Sequence, residues 1–218
     1  RHDLESSLTA LGTDYVDFYW LHRDDTFIPV GELVERLEGF RREGKLLVYG
    51  VSNWSAARVR EAADYAASHG CRGFGGVQNQ WSLARVVPER IADQTLVCMD
   101  EVLYKLLCER EDSLCTLAFS AMGKGYFTKA AAGTLREGAL MEYRCALNER
   151  RLEALQCLSE DRHMPIASLV LAWMSAKPFA AVPIAAVSSA AQLWDLAAAF
   201  DLSLNPEEVS LLDAGEEY

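Results

Sequence analysis

The chain has 218 residues, half of them hydrophobic, with 32 acidic against 21 basic side chains and a net charge of −11. A chain of that length can bury one sizeable core as a single domain, and its acidic balance repels a phosphodiester backbone, which argues against nucleic acid as a partner. Apolar stretches break well short of the ~20 residues that cross a bilayer, and the opening RHDLESSL lacks the apolar core of an export signal, so a cytoplasmic chain without membrane contact is expected.

In chain order, YVDFYWLHRDD at residues 15–25 reads as an apolar strand that stops at His22. Val30, Leu33, Val34, Leu37 and Phe40 then form one helical stripe that Gly44 can close. KLLVYGVSN is a second strand. Ser55 offers a helix cap before Val59, Ala62, Ala63 and Ala66, and Gly70 ends that helix. GFGGVQNQ is a short third strand, followed by a helix around Met99–Glu109 and a fourth strand in LCTLAFS. Residues 123–138 read as a long loop, and about Arg144 to Lys177 as one long helical region. FAAVPI is the fifth strand, a helix follows from Ala190, and Asn205, Pro206 and Glu207 announce a last helix by cap, first-turn proline and acid. The run REGK, Arg42 to Lys45, reads as a solvated helix end. Cys71, Cys98, Cys108, Cys115, Cys145 and Cys157 form no C-x-x-C pair or Cys/His cluster, so reduced, mostly buried thiols and no metal site are expected.

Nearly all-apolar strands alternating with helices specify an α/β fold with a parallel sheet, in one domain over residues 1–218. The residues closing the strands make a set: His22, Ser52 with Asn53, Gln78, then Phe119 and Ser120. In a barrel of parallel strands these ends meet on one face around one ligand. Taken singly, His22 equally suits a wet strand end, Ser52 and Asn53 suit turn and cap chemistry, and Phe119 suits a core. Trp20, Trp54, Trp81, Trp173 and Trp194 read as packing residues.

The segments YVDFYWLHRDD, GKLLVYGVSNW, GVQNQWSLA, LAFSAMGKGYF and AAVPIAAVSSAAQL resemble, in order and spacing, successive segments of the aldo-keto reductase family, and the likeness runs over essentially the whole chain. It implies a TIM (β/α)8 barrel that binds NADPH or NADH and passes hydride between nicotinamide and a carbonyl or alcohol substrate. It assigns His22 to the catalytic site, as a hydrogen-bond donor to the carbonyl oxygen. It assigns Ser52, Asn53 and Gln78 to the nicotinamide carboxamide, Phe119 to the nicotinamide face, and Ser120, Met122 and Gly123 to a loop approaching the pyrophosphate. In that frame the chain supplies about five βα units, an incomplete barrel beginning in the helix before the family's fourth strand.

The departures from the family are as informative. The aspartate, tyrosine and lysine of its catalytic tetrad have no counterpart in these residues, which implies that activity requires a missing N-terminal part and that the chain alone is inactive. The alternative is a catalytically silent remnant that serves binding or assembly. The family's basic residue after the last strand and its amide in the following helix are also missing, and Ala186 replaces a family glycine. From Pro178 onward there is no Lys, Arg or His, whereas Asp195, Asp201, Glu207, Glu208, Asp213, Glu216 and Glu217 are acidic. Without a charge-assisted clamp for a 2′-phosphate, only weak preference between NADPH and NADH is expected. Two sheet edges are left over. They invite self-association, or cover by an N-terminal segment or a fused domain.

Overall fold

The computed structural model describes residues 1–213; Glu216 and Glu217 lie outside the described residues. The strands β1 (Val16–Leu21), β2 (Leu46–Ser52), β3 (Gly76–Gln78), β4 (Cys115–Ala118) and β5 (Ala181–Pro183) form one five-stranded sheet in that spatial order. Every pairing is parallel, with Leu21 opposite Val51, Ser52 opposite Gln78, and Ala118 opposite Pro183. All strand exits therefore lie along one rim. Sequential parallel neighbours joined by helices are the pattern of a barrel wall.

The helices are α1 (His2–Leu11), α2 (Val30–Arg42), α3 (Ala56–His69), α4 (Glu101–Glu109), α5 (Tyr126–Ala131), α6 (Ala146–Arg162), α7 (Ile166–Ser175), α8 (Ala190–Ala197) and α9 (Pro206–Asp213). Local chemistry fixes their ends. Ser55 caps α3 by accepting from the Arg58 N–H, and Gly70 closes it with a positive φ. At α9, Asn205 and Glu208 each accept the other's backbone N–H, at 2.9 and 2.8 Å, a reciprocal capping box. Helix α2 packs on α3 and β2, and α7 on β5, α6 and α8. Val34, Leu46, Tyr49, Val51, Val77, Leu106 and Trp173 belong to the core.

Several expectations are corrected. The loop expected over residues 123–138 holds a turn of 3-10 helix, Gly123–Gly125, and α5. The single helical region expected up to Lys177 is two helices. His163, with φ 51, and Pro165, which stands before α7, break it, because proline lacks the N–H that would continue α6. All six thiols are free, but Cys157 is exposed and the other five are only half-buried. Trp194 is 74% exposed and does not pack as a core residue. Of the REGK run, Glu43 pairs with Arg1 and Lys45 with Glu5, tying the end of α2 to α1. Among the described residues no helix is long and apolar enough to cross a membrane.

Candidate functional site

The rim is stitched by polar side chains. Ser52 Oγ donates to the Gln78 carbonyl at 2.7 Å, joining the exits of β2 and β3. Asn53, just past β2, sits in the left-handed region at φ 58, a conformation asparagine tolerates better than most residues. Its side-chain amide donates to Ser52 Oγ at 3.0 Å and to the His22 carbonyl at 3.4 Å, while its Oδ1 accepts the Val97 N–H at 3.1 Å. The β1 exit, the β2 exit and the long segment after β3 thus converge on one amide.

Asn79 is fully buried and completes the tie. Its Oδ1 accepts the Asn53 N–H at 2.8 Å, and its Nδ2 donates to the Trp54 carbonyl at 3.0 Å. The Asn79 carbonyl also accepts the Phe119 N–H at 3.3 Å, which brings Phe119 to the same cluster. The sequence reading overlooked Asn79. The signal was there in the three consecutive amides of QNQ, since a buried amide needs a hydrogen-bond partner for both its oxygen and its nitrogen.

Two groups in this cluster are uncommitted. Among the described residues the exposed His22 imidazole and the half-buried Gln78 amide make no hydrogen bond, so both are available to a ligand. Neighbouring groups are less reactive. Burial pushes the Cys98 thiol up to about 11 and the Tyr143 phenol up to about 12. Both stay protonated at neutral pH, and the Tyr143 hydroxyl accepts from Gln80 Nε2 at 3.0 Å.

A cavity of about 810 Å³ opens beside this cluster, between the loops after β4 and β5. Ser120, Met122 and Lys129 line one side, and Ile184 to Ser188 with Gln192 the other. Ser120, Gly123, Lys124 and Gly125 all have positive φ, and the N–H groups of Ala121 and Met122 carry no hydrogen bond among the described residues. Free backbone N–H groups in such a turn suit an anion. Gly123 lies behind the cavity, where a Cβ would fall 2.7 Å from that of Ala84. The structure therefore gathers the candidates into two adjoining groups. His22, Ser52, Asn53, Gln78 and Phe119 stand at the strand tips, and Ser120 and Met122, backed by Gly123, stand at the cavity.

One expectation about the cavity is corrected. An amide does stand in the helix after the last strand: Gln192, in the first turn of α8, whose Oε1 accepts from the Ser188 N–H at 2.9 Å. The bases near the cavity are committed to the protein. Lys124 Nζ meets Glu142 Oε1 and Lys129 Nζ meets the Lys124 carbonyl, each at 2.7 Å.

Comparison with known proteins fits this geometry. The chain is 27% identical over 219 residues to the oxidoreductase YrpG of Bacillus subtilis, a protein itself described as uncharacterized, covering 98% of this chain and 62% of YrpG. It is 25% identical over 224 residues to norsolorinic acid reductase B of Aspergillus parasiticus, covering 100% of this chain and 55% of that one. The crystal structure of an aldo/keto reductase from Klebsiella pneumoniae, in complex with NADP and acetate, is similar with a TM-score of 0.63 at 27% identity, over 97% of this chain and 62% of that one. The chain thus spans less than two thirds of the length of each of these relatives. The model of the Aldo/keto reductase family matches residues 1–217, and the chain belongs to that family.

Proposed function

We propose that this chain carries the hydride-transfer rim and the cofactor cleft of a nicotinamide-dependent reductase acting on a small carbonyl or alcohol substrate. The observation that carries the reading is the pairing of an uncommitted imidazole and amide, at the tips of β1 and β3 on either side of β2, with a cleft whose backbone N–H groups are free. A nicotinamide bound there supplies the hydride. The Gln78 amide offers the donor and acceptor that its carboxamide needs, and Ser52 Oγ, its hydrogen committed to the Gln78 carbonyl, offers a remaining lone pair. The Phe119 ring offers a stacking face. The N–H groups of Ala121 and Met122 offer donors to the pyrophosphate. Asn53, its amide fully engaged, serves cofactor binding by holding Ser52 and the His22 backbone in place. His22 donates a hydrogen bond to the carbonyl oxygen as negative charge develops there.

The proton that completes reduction comes from a general acid that we assign to no residue of this chain. In this reading it belongs to further βα units, which also close the sheet into an eight-stranded barrel and cover the edges of β1 and β5. Six free thiols suit the reducing cytoplasm in which we place the protein. Both lysines near the cleft are committed and no base follows Lys177, so NADPH and NADH bind within about tenfold of one another. Titrating each cofactor into the natural full-length polypeptide while following tryptophan fluorescence tests the reading. Saturable quenching by both is expected, and no saturable signal from either overturns it.

A further inference from the structure

Residues 22–29, between β1 and α2, form neither helix nor strand. They begin with His22, whose imidazole has no hydrogen bond among the described residues to orient it, and whose carbonyl is held among them only by the long 3.4 Å bond from Asn53. Something else must fix this segment if the imidazole is to meet a reacting oxygen reproducibly, because an error near 1 Å in such a group costs about a hundredfold in rate.

Arg58, in the first turn of α3, supplies the fixing. Its Nε and Nη2 reach the two oxygens of Asp24 at 3.0 Å each, a fork-on-fork pair two residues beyond His22. The same Nη2 donates to the Ile28 carbonyl at 3.1 Å and to the Asp25 carbonyl at 3.5 Å. One guanidinium thereby holds three points of the segment against one helix. It also lies 5.0 Å over the ring of Trp54, whose own carbonyl Asn79 holds. The side chains of Arg58 and Asp24 are only 15% and 12% exposed. An ion pair so far out of water adds little net stability, whereas its planar geometry fixes both the height and the rotation of the backbone it grips.

We propose that Arg58 is a positioning residue for His22, acting through Asp24 to set where the imidazole stands over the tips of β2 and β3. The proposal rests on the reductase reading only for its kinetic consequence, since the placement of His22 can be observed without turnover.

The test uses the natural full-length polypeptide with R58K, D24N and R58A. Lysine keeps the charge but loses the fork, and asparagine keeps the shape but loses the charge. In R58K and D24N, assayed at a temperature where each variant is folded, kcat for carbonyl reduction should fall about ten- to hundredfold, with NADPH affinity close to the parent. The His22 imidazole NMR signal, assigned by its loss in H22Q, should be single and sharp in the parent and broadened or split in both variants. Free guanidinium should restore part of the kcat of R58A. An unchanged His22 signal in R58K and D24N overturns the proposal, as does a drop in thermal midpoint with unchanged kcat. If the parent reduces no carbonyl at all, the reductase reading fails while the NMR signal still decides the role of Arg58.

Discussion

The side-chain amide of Asn53 donates to the main-chain carbonyl of His22 at 3.4 Å, across from the exit of β2 to the exit of β1. A residue that sequence reasoning assigns to cofactor contact is therefore also the knot of the rim. Asn53→Ala removes three side-chain hydrogen bonds and leaves a β-carbon at φ 58. Unfolding in denaturant should show a loss of about 2–4 kcal/mol. Asn53→Gly loses the same bonds but relieves the backbone, so it should cost about 1 kcal/mol less than alanine. Equal losses for the two would show that the left-handed conformation carries no cost there.

What the sequence made legible follows from the strength of each local signal. The five strands were readable because each is a short, nearly all-apolar run, and the exits of the first three because His22, Ser52 and Gln78 each interrupt such a run. The last helix was readable because Asn205, Pro206 and Glu207 stand in order as cap, first-turn proline and acid. Helix α5 was not, since Tyr126–Ala131 is too short to display a helical stripe. Arg58 was invisible for a different reason: on the polar side of α3 it looks like any solvated charge, and its partner Asp24 lies 34 residues away in sequence. Long-range pairing of this kind leaves no local pattern.

Gly123→Ala should damage the proposed cofactor cleft from behind. A Cβ at position 123 would lie 2.7 Å from the Ala84 Cβ, and the backbone there has φ 53. Thermal and chemical unfolding should show a loss of about 2 kcal/mol or more, from overpacking and strain together. Adding Ala84→Gly removes the clash and leaves the strain, so the double variant should recover part of the loss. No recovery would place the cost in the backbone alone.

The pH dependence of stability should carry the signature of Glu38. Its carboxylate, 3% exposed, accepts from Arg41 Nε and Nη2 at 3.0 and 2.7 Å and from the Tyr49 hydroxyl at 3.2 Å. The Arg41 guanidinium holds it below the usual carboxylate range. A carboxylate lowered on folding contributes its stability in full above the unfolded value near about 4.3, and loses it as pH falls through that value toward the folded one. Glu38→Gln should therefore cost about 1–3 kcal/mol at neutral pH. The gap from the parent should narrow steadily as pH is lowered from about 5 to about 3. A gap independent of pH would mean that Glu38 acts by shape rather than charge.

The two ends of the sheet set the behaviour of this chain by itself. Among the described residues strand β1 pairs only with β2, and β5 only with β4. On β1 the Phe18 and Trp20 rings stack at 4.1 Å and lie so close over Gly50 that a Cβ there would meet Trp20 at 2.7 Å. On β5, Val182 is 48% exposed. Unpaired strand edges flanked by apolar side chains template association. Residues 1–218 expressed alone should self-associate at micromolar concentration, as measured by size-exclusion chromatography with light scattering. A stable monomer would show that the edges are protected within the chain.

The central claim is that His22 serves the chemistry of a nicotinamide site built by the neighbouring strand tips. It is tested most directly by single-turnover hydride transfer from NADPH to a carbonyl compound in the natural full-length polypeptide, comparing the parent with His22→Leu. We expect cofactor affinity to stay within about threefold of the parent, a difference below about 1 kcal/mol. The transfer rate should fall by about 10²- to 10³-fold, the usual loss when a donor to a developing oxyanion is removed. A His22→Leu protein that transfers hydride at the parent's rate would contradict the account.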